Sequence, residues 1–287
     1  MSDSTELEIP GVVTFAKGNG GLPKVLIETP WSSAEIYLHG AHVTGFQKKG
    51  EAPLLFMSKS GEFLSDKPLR GGVPVIFPWF GPREGLPAHG FARTVAWELT
   101  ASLVGPDGSV TLYFRMPAIE FFEVEFIITV GETLTMELLV RNAGESSHAF
   151  ETCLHTYFSI SSIHDISITG LKNAAYHDKV KDVKALETAS AIPIDREVDR
   201  VYQDTTAAVE ILDPGFKRRI RVEKSGSQST VVWNPWIDKS QRMPDFGDDE
   251  YLQMVCVESG NVAKNRIALP PGEVSGMKVV VSSLKLA

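Results

Sequence analysis

The chain has 287 residues, is 43% hydrophobic and 22% charged, and carries a net charge of −8. This composition is typical of a folded globular protein, and the negative charge argues against a nucleic acid or an anionic membrane as partner, because either would require a basic face. No stretch approaches the roughly 18 consecutive apolar residues of a membrane-spanning helix. The first residues, Met-Ser-Asp-Ser-Thr-Glu, lack the basic start and apolar run of a secretory signal. We therefore expect a cytoplasmic protein.

Cysteine and histidine usage gives no sign of a disulfide framework or a metal centre. Two cysteines, Cys153 and Cys256, are too few for such a framework, and neither has a nearby cation that would make it a nucleophile. His39 and His42 are three residues apart, but the Gly-Ala between them and their strand-like surroundings argue against a ligand pair. We expect neither a metal nor a cofactor.

Residues 59 to 93 have no repeating apolar pattern and are dense in proline and glycine, which predicts a stiff, irregular loop. Loops of this length in a compact domain are usually functional. Arg70 and Arg93 bracket the part of the loop that is richest in proline and glycine, and a guanidinium group can bind phosphate or pair with an acidic surface residue. His89 lies inside it and can donate to a sugar hydroxyl or satisfy loop carbonyls. These alternatives stay open from the residues alone.

Aromatic side chains in two segments offer flat surfaces that suit a sugar ring. Trp79, Phe80 and Phe91 lie in the loop, and Trp233 and Trp236 flank a proline further on. Alternatively, these aromatic side chains pack in the core and have no contact with a sugar.

Alternating apolar and polar residues dominate the chain from residue 110 onwards, which predicts strands with one buried face. The segments with this pattern are residues 110–115, 134–140, 166–168 and 220–222. Residues 121–130 and 278–286 are richer in apolar side chains, which predicts strands buried on both faces.

Two short apolar segments, 151–158 and 254–261, each resemble a strand with one titratable side chain, His155 and Glu258 respectively. Histidine has an ordinary pKa of about 6.5, and burial raises the pKa of a glutamate towards it. Two such groups facing each other across a pocket can donate and accept a proton in one step. The alternatives are that His155 is a histidine packed in the core and that Glu258 is a buried carboxylate paired with an arginine. An ionised carboxylate among apolar residues costs several kcal/mol unless it is hydrogen-bonded, which favours a functional role.

Taken together, the elements predict one all-β domain over residues 1–287, a large two-layer antiparallel β-sandwich with few short helices. Turn residues punctuate the chain throughout, and no amphipathic helix exceeds three turns. A second irregular loop is expected from about residue 233 to residue 250.

Seven motifs resemble, in order, those of the glucose-6-phosphate 1-epimerases, the hexose-6-phosphate mutarotases of the aldose 1-epimerase superfamily. They are Arg70-Gly-Gly-Val-Pro-Val-Ile-Phe-Pro78, His89-Gly-Phe-Ala-Arg93, Leu154-His-Thr-Tyr-Phe158, Val198-Asp-Arg-Val-Tyr202, Val231-Val-Trp-Asn-Pro-Trp236, Asp245-Phe-Gly-Asp248 and Cys256-Val-Glu258. The resemblance extends from about residue 34 to about residue 272 and implies a sandwich similar to that of galactose mutarotase.

The resemblance also implies roles for single residues. His155 and Glu258 match the family's catalytic pair, Arg70 and Arg93 its substrate-binding arginines, and Asp199 its sugar-binding aspartate. His89, within its motif, is a further candidate for substrate binding. Members commonly carry glutamine where this chain has Ala88, which leaves the substrate preference open.

The implied activity is that of an isomerase that interconverts the α and β anomers of glucose 6-phosphate and related hexose 6-phosphates. Glu258 as a carboxylate would take the proton of the C1 hydroxyl, while protonated His155 gives one to the ring oxygen. An aldose 1-epimerase for unphosphorylated sugars and a non-catalytic carbohydrate-binding module are the alternatives. The expected partner is the small-molecule substrate, and the expected state is a monomer.

Overall fold

The computed structural model describes residues 7–119 and 121–286 of the chain. Strands make up about 50% of the described residues and helices about 6%. The strands are β1 (Val13–Lys17), β2 (Pro23–Glu28), β3 (Ser32–Tyr37), β4 (His42–Lys48), β5 (Val75–Ile76), β6 (Glu98–Val104), β7 (Val110–Arg115), β8 (Phe122–Val130), β9 (Leu134–Asn142), β10 (His148–Phe150), β11 (Thr152–Leu154), β12 (Tyr157–Ser159), β13 (Ser167–Thr169), β14 (Ala175–Asp178), β15 (Val183–Leu186), β16 (Ala191–Pro193), β17 (Val198–Gln203), β18 (Val209–Asp213), β19 (Arg218–Ser225), β20 (Ser229–Asn234), β21 (Met254–Asn261), β22 (Ile267–Leu269) and β23 (Val274–Lys285).

Helical structure in the described residues is limited to short pieces. One α-helix, α1 (Trp236–Ser240), has five residues. The 3₁₀ helices are Asn19–Gly21, Ala92–Thr94, Glu250–Gln253 and Ala263–Asn265. Within residues 7–119 and 121–286, no helix has the length and apolar character needed to cross a membrane.

Two large sheets form the body of the molecule. One has nine strands in the order β16-β13-β18-β19-β23-β9-β8-β7-β6, and the other has eight, in the order β15-β14-β17-β20-β21-β11-β5 with β12 also pairing with β21. A four-stranded meander, β1 to β4, and the pair β10-β22 complete the fold. Every described strand pair is antiparallel. The predicted all-β antiparallel sandwich is confirmed.

The apolar faces of the large sheets meet in one buried cluster, to which Phe114 and Phe126 contribute from the nine-stranded sheet and Phe158 and Val232 from the eight-stranded one. The alternation predicted for β7 and β9 is confirmed, because every second residue of both strands is buried. Burial of this kind is the main favourable term in folding.

The prediction that β8 and β23 are buried on both faces is wrong. Both strands alternate between buried and partly or fully exposed residues, with Glu123 and Lys278 among the exposed ones. The reason is that only one face of the nine-stranded sheet packs on the core. Apolar residues such as Ile127 therefore remain half-exposed on the outer face.

Strands β20 and β21, by contrast, are buried along their whole length. One face of these strands packs on the core, and the other lies under a smaller apolar cluster of Ile76, Cys153, Val201, Val231 and Val262, against which Phe80 packs. The two predicted irregular loops contribute residues over this second face. They contain β5, α1 and short 3₁₀ pieces, and the second loop begins two residues later than predicted, because β20 continues to Asn234. The covered face of the eight-stranded sheet is where a cavity can form.

Arg218 is a buried tether between the sheets and a surface loop. Its side chain is 3% exposed, and its guanidinium donates to the carbonyls of Ala52 (2.9 Å), Pro53 (3.0 Å) and Ser159 (2.6 Å). It also lies 3.8 Å from buried Asp213. Because Arg218→Ala leaves these acceptors without their donor, we expect the free energy of unfolding, measured in urea, to fall by about 3–5 kcal/mol.

Arg115→Ala is the matched control for this substitution. Arg115 pairs with Glu125 at 3.7 Å, but 61% of its side chain is exposed to solvent. Because exposed pairs contribute little, its loss should change the same free energy by less than about 1 kcal/mol. Equal effects of the two substitutions would show that Arg218 is not a tether.

Candidate active site

His155 and Glu258 face each other because of strand register. β11 pairs with β21 up to Leu154, and β12 resumes the pairing from Tyr157 without a change of register. His155, in the gap, is therefore opposite Glu258, and its Nε2 lies 3.2 Å from Glu258 Oε1. The expectation of one continuous strand is corrected, because the His155 N–H turns away to donate to the Pro74 carbonyl at 3.0 Å.

The neighbouring strands bring further polar groups to the same face. Asp199 on β17 pairs with Trp233 on β20, and Trp233 pairs with Cys256, two residues before Glu258 on β21. Because paired residues and residues two apart share a face, Asp199 and Trp233 project to the side on which Glu258 lies. Three strands that are distant in sequence thus supply one surface.

A cavity of about 340 Å³ lies over this surface. All six residues predicted from the sequence line it, namely Arg70, His89, Arg93, His155, Asp199 and Glu258. The loop before β6 supplies one wall, and the segment around α1 supplies Lys239 and Met243. The structure therefore brings the predicted residues together without deciding what each of them does.

Burial acts in opposite directions on the two facing groups. It raises the pKa of Glu258 well above its ordinary value, and Asp199 adds to the effect. It lowers the pKa of His155 well below its ordinary value, together with the positive charges of Arg93 and Arg70. Both shifts favour a neutral pair that shares one proton, so burial opposes the ionised Glu258 and protonated His155 expected from the sequence.

A thiol also contacts the carboxyl group. Cys153 is fully buried, and its Sγ donates to Glu258 Oε2 at 3.4 Å. Burial raises the pKa of the thiol well above its ordinary value, so it remains an S–H donor. The Cys153 thiol therefore has a specific hydrogen-bond partner within the site.

The two arginines have different surroundings. Arg70 Nη2 lies 2.9 Å from Asp245, its Nε donates to the same oxygen at 3.1 Å, and its Nη1 donates to the Tyr157 hydroxyl at 3.0 Å. Arg93 donates to the Ala88 carbonyl at 2.8 Å, and no carboxylate pairs with it within residues 7–119 and 121–286. Burial lowers the pKa of Arg93 to about 10, which leaves it charged at neutral pH. Arg93 therefore presents the less compensated charge.

His89 is fixed by its own loop. Its Nδ1 accepts the Gly81 N–H at 3.2 Å, so a neutral ring carries its proton on Nε2. Burial, with the Arg93 charge, lowers its pKa to about 3. Both His89 and Gly90 have positive φ, and a Cβ at Gly90 would lie 2.0 Å from the Phe77 carbonyl oxygen, so the close turn requires glycine there.

Two lysines that sequence reasoning missed complete the charge of the cavity. Lys179, next to β14, lies 3.8 Å from Asp199, and Lys239 of α1 lies 3.1 Å from Glu197. Four cationic and two acidic side chains line the cavity. No sequence signal marks either lysine, because single lysines are common on protein surfaces.

The aromatic residues divide between wall and core. Phe80 and Trp233 line the cavity. Trp79 is buried, packs edge-on against Phe91 at 5.6 Å and donates to a carbonyl of its own loop. Trp236 packs against Tyr251 instead of lining the cavity.

His155, Cys256 and Glu258 each offer one possible metal-ligand atom, and these atoms lie within 4.8 Å of one another. Burial raises the pKa values of both the Cys256 thiol and the Glu258 carboxyl, so a divalent ion would have to displace two protons. It would also have to enter a cavity lined by four cationic side chains. The arrangement suits a shared proton better than a metal.

Comparisons with known proteins agree with this geometry. The family model described as aldose 1-epimerase matches residues 23–282. A protein of Cenchrus ciliaris with the provisional name glucose-6-phosphate 1-epimerase is 34% identical over 94% of this chain and 87% of its own length. An Escherichia coli K12 protein with the same provisional name is 35% identical over 85% of each chain.

Solved structures show the same fold. The crystal structure of YeaD from Salmonella typhimurium, provisionally named a mutarotase, matches with a TM-score of 0.89 at 29% identity, over 97% of this chain and 96% of YeaD. Galactose 1-epimerase from Lactobacillus acidophilus NCFM shares the fold, with a TM-score of 0.73 at 12% identity over 96% of this chain and 99% of its own. The family model and the sequence relatives, which match most of the chain, show that it belongs to the aldose 1-epimerase family.

Proposed function

We propose that this protein is a hexose-6-phosphate mutarotase that acts in the cytoplasm and interconverts the α and β anomers of glucose 6-phosphate. The observation that carries the proposal is the His155–Glu258 pair, 3.2 Å apart, in a cavity lined by four cationic side chains. A buried acid–base pair supplies the proton transfers, and the cations suit an anionic sugar. The names of the sequence relatives support the phosphorylated substrate.

The reaction needs two coupled proton transfers. Glu258 takes the proton of the C1 hydroxyl as His155 gives one to the ring oxygen, and the bond between C1 and that oxygen breaks to give the free aldehyde. Rotation about C1–C2 presents the other carbonyl face, and ring closure reverses both transfers. Positioning and general acid–base catalysis supply the acceleration.

The protonation state of the pair fits this cycle. The neutral pair and the ion pair hold the same single proton and differ only by its transfer across the 3.2 Å contact. Burial stabilises the neutral form at rest. A sugar that reaches both groups must open this contact, and its polar atoms would then stabilise the ion pair, which is the form that ring opening requires.

We assign the phosphate to the Arg93 side of the cavity. The charge of Arg93 is the less compensated of the two arginines, whereas Arg70 is held by Asp245 and the Tyr157 hydroxyl. Asp199 and the His89 Nε2–H would bind sugar hydroxyls. The free-aldose epimerase and the non-catalytic module are less well supported, because neither explains both the cations and the buried acid–base pair.

Loss of either member of the pair should remove catalysis. We expect His155→Ala and Glu258→Gln each to lower kcat for glucose 6-phosphate by about 100-fold or more, because each removes one proton transfer. Exchange NMR or polarimetry measures the rate, and circular dichroism checks that the variants fold. A folded variant with a near-normal rate would remove that residue from the mechanism.

The two arginines should differ in substrate dependence. Arg93→Ala should lower kcat/KM for glucose 6-phosphate by about one to two decades, the loss of one charge-assisted contact, and change the rate with glucose much less. Arg70→Ala should lower the rates with both sugars, because it also releases Asp245 and Tyr157, which it orders. Equal losses on both sugars for Arg93→Ala would favour the free-aldose epimerase.

The pH dependence of kcat/KM should be bell-shaped, and the shifted pKa values of buried His155 and Glu258 should set its acidic and alkaline limbs. Below the active range, His155, whose pKa is lowered, takes up a second proton, and above it Glu258, whose pKa is raised, loses the shared one. Cys153→Ala removes a donor to the carboxylate form, which raises the pKa of Glu258 further. The alkaline limb of kcat/KM should therefore move to higher pH.

Cys256→Ala is the matched control, because it removes the same sulfur from a fully buried position on the same strand face. In the described part of the chain no hydrogen bond joins Cys256 to Glu258. The alkaline limb should stay in place in this variant. An unmoved limb in Cys153→Ala, or equal shifts in both variants, would contradict the assignment.

A further inference from the structure

A second and larger cavity, of about 570 Å³, lies beside the candidate active site. Phe80 and Lys179 line both cavities and form the wall between them. The second cavity lies over β14, β15 and β17, where His177 pairs with both Lys184 and Val201. Val201 is two residues from Asp199 on β17, so the two cavities lie on the same face of the eight-stranded sheet. We call it the second cavity.

The second cavity is cationic in a protein of net charge −8. Lys179, Lys184 and Lys264 line it, and Glu151 is the acidic residue in its lining. Both carboxylate oxygens of Glu151 are occupied, since one accepts the Phe80 N–H at 3.0 Å and the other accepts the Ala263 N–H at 2.6 Å. Backbone N–H groups therefore hold the Glu151 carboxylate, and its single negative charge does not balance the positive charges of the three lysines.

The lysines themselves are unequally paired. Lys264 pairs with Asp204, and Lys179 lies 3.8 Å from Asp199. Lys184 has no ion pair within residues 7–119 and 121–286. An exposed ammonium that lines a cavity and has no carboxylate partner is suited to a phosphate, which it binds as a point charge.

The floor of the second cavity adds an unsatisfied polar group. Val201 and Val262 supply an apolar surface, and Gln203 also lines the cavity. The amide nitrogen and oxygen of Gln203 are both buried and have no hydrogen-bond partner. An unpartnered buried amide is costly, and this amide would gain a partner if rotation of the side chain brought it to a polar molecule on the floor.

We propose that the second cavity binds a second phosphorylated small molecule of about the size of a sugar phosphate. The lysines would hold its phosphate, and Gln203 and the apolar floor would contact its body. The site is distinct from that of the proposed reaction, so its occupancy does not depend on turnover. Because Lys179 serves both cavities, two bound anions would compete for it, and each would weaken the binding of the other.

Calorimetric titration of the full chain with glucitol 6-phosphate tests the proposal, because this acyclic phosphate has no anomeric centre and cannot react. We expect two molecules per chain, bound with unequal affinities. Lys184→Glu should weaken one of the two binding events by about tenfold or more, because it replaces an attractive charge with a repulsive one. Arg93→Ala should weaken the other event instead.

Lys181→Glu is the matched control. Lys181 is an exposed lysine in the turn between β14 and β15, and it does not line the second cavity. The same charge reversal there should leave both affinities within about twofold, since solvent and salt screen it. A single binding event that Lys184→Glu leaves unchanged, or equal effects of Lys181→Glu and Lys184→Glu, would overturn the proposal. A single event that Lys184→Glu weakens would support it and would count against the binding role assigned to Arg93. Because the titration measures binding alone, a failed mutarotase assay would leave its outcome unaffected.

Discussion

The site depends on one constraint, the unchanged register of β11 and β12 along β21. It holds His155 opposite Glu258 with 3.2 Å between Nε2 and Oε1. Because side chains alternate between faces, a slip of one residue would turn one of the two groups to the other face of the sheet. The gap in pairing frees the backbone of His155 to be held by the loop, so sheet and loop jointly fix the ring.

Burial then gives this pair its chemistry. A glutamate with raised pKa and a histidine with lowered pKa share one proton in a region where neither charge is solvated. The Cys153 thiol holds the second carboxylate oxygen, so both oxygens of Glu258 have a partner before substrate enters.

The covered face of the eight-stranded sheet is rich in positive charge, whereas the chain as a whole is negative. Four cationic side chains line the candidate active site and three lysines line the cavity beside it, although the net charge is −8. Lys179 is common to both. A local concentration of cations in an acidic protein focuses anions at one place and repels them elsewhere, which suits phosphorylated substrates.

The fold class was predictable from the sequence, because the period-two patterning in β7 and β9 indicates strands and no long amphipathic helix is predicted, which together favour an all-β fold. The ordered motifs also pointed to six site residues, all of which line the same cavity. The sequence could not determine that His155 stands opposite Glu258, since that contact joins residues more than a hundred positions apart and depends on sheet register. Nor did it mark Lys179, Lys239 or the Cys153 contact, because a single lysine or thiol has no pattern until folding supplies its neighbours. Two-sided burial was wrongly predicted for β8 and β23 for the same reason: apolar composition does not say which face another layer will cover.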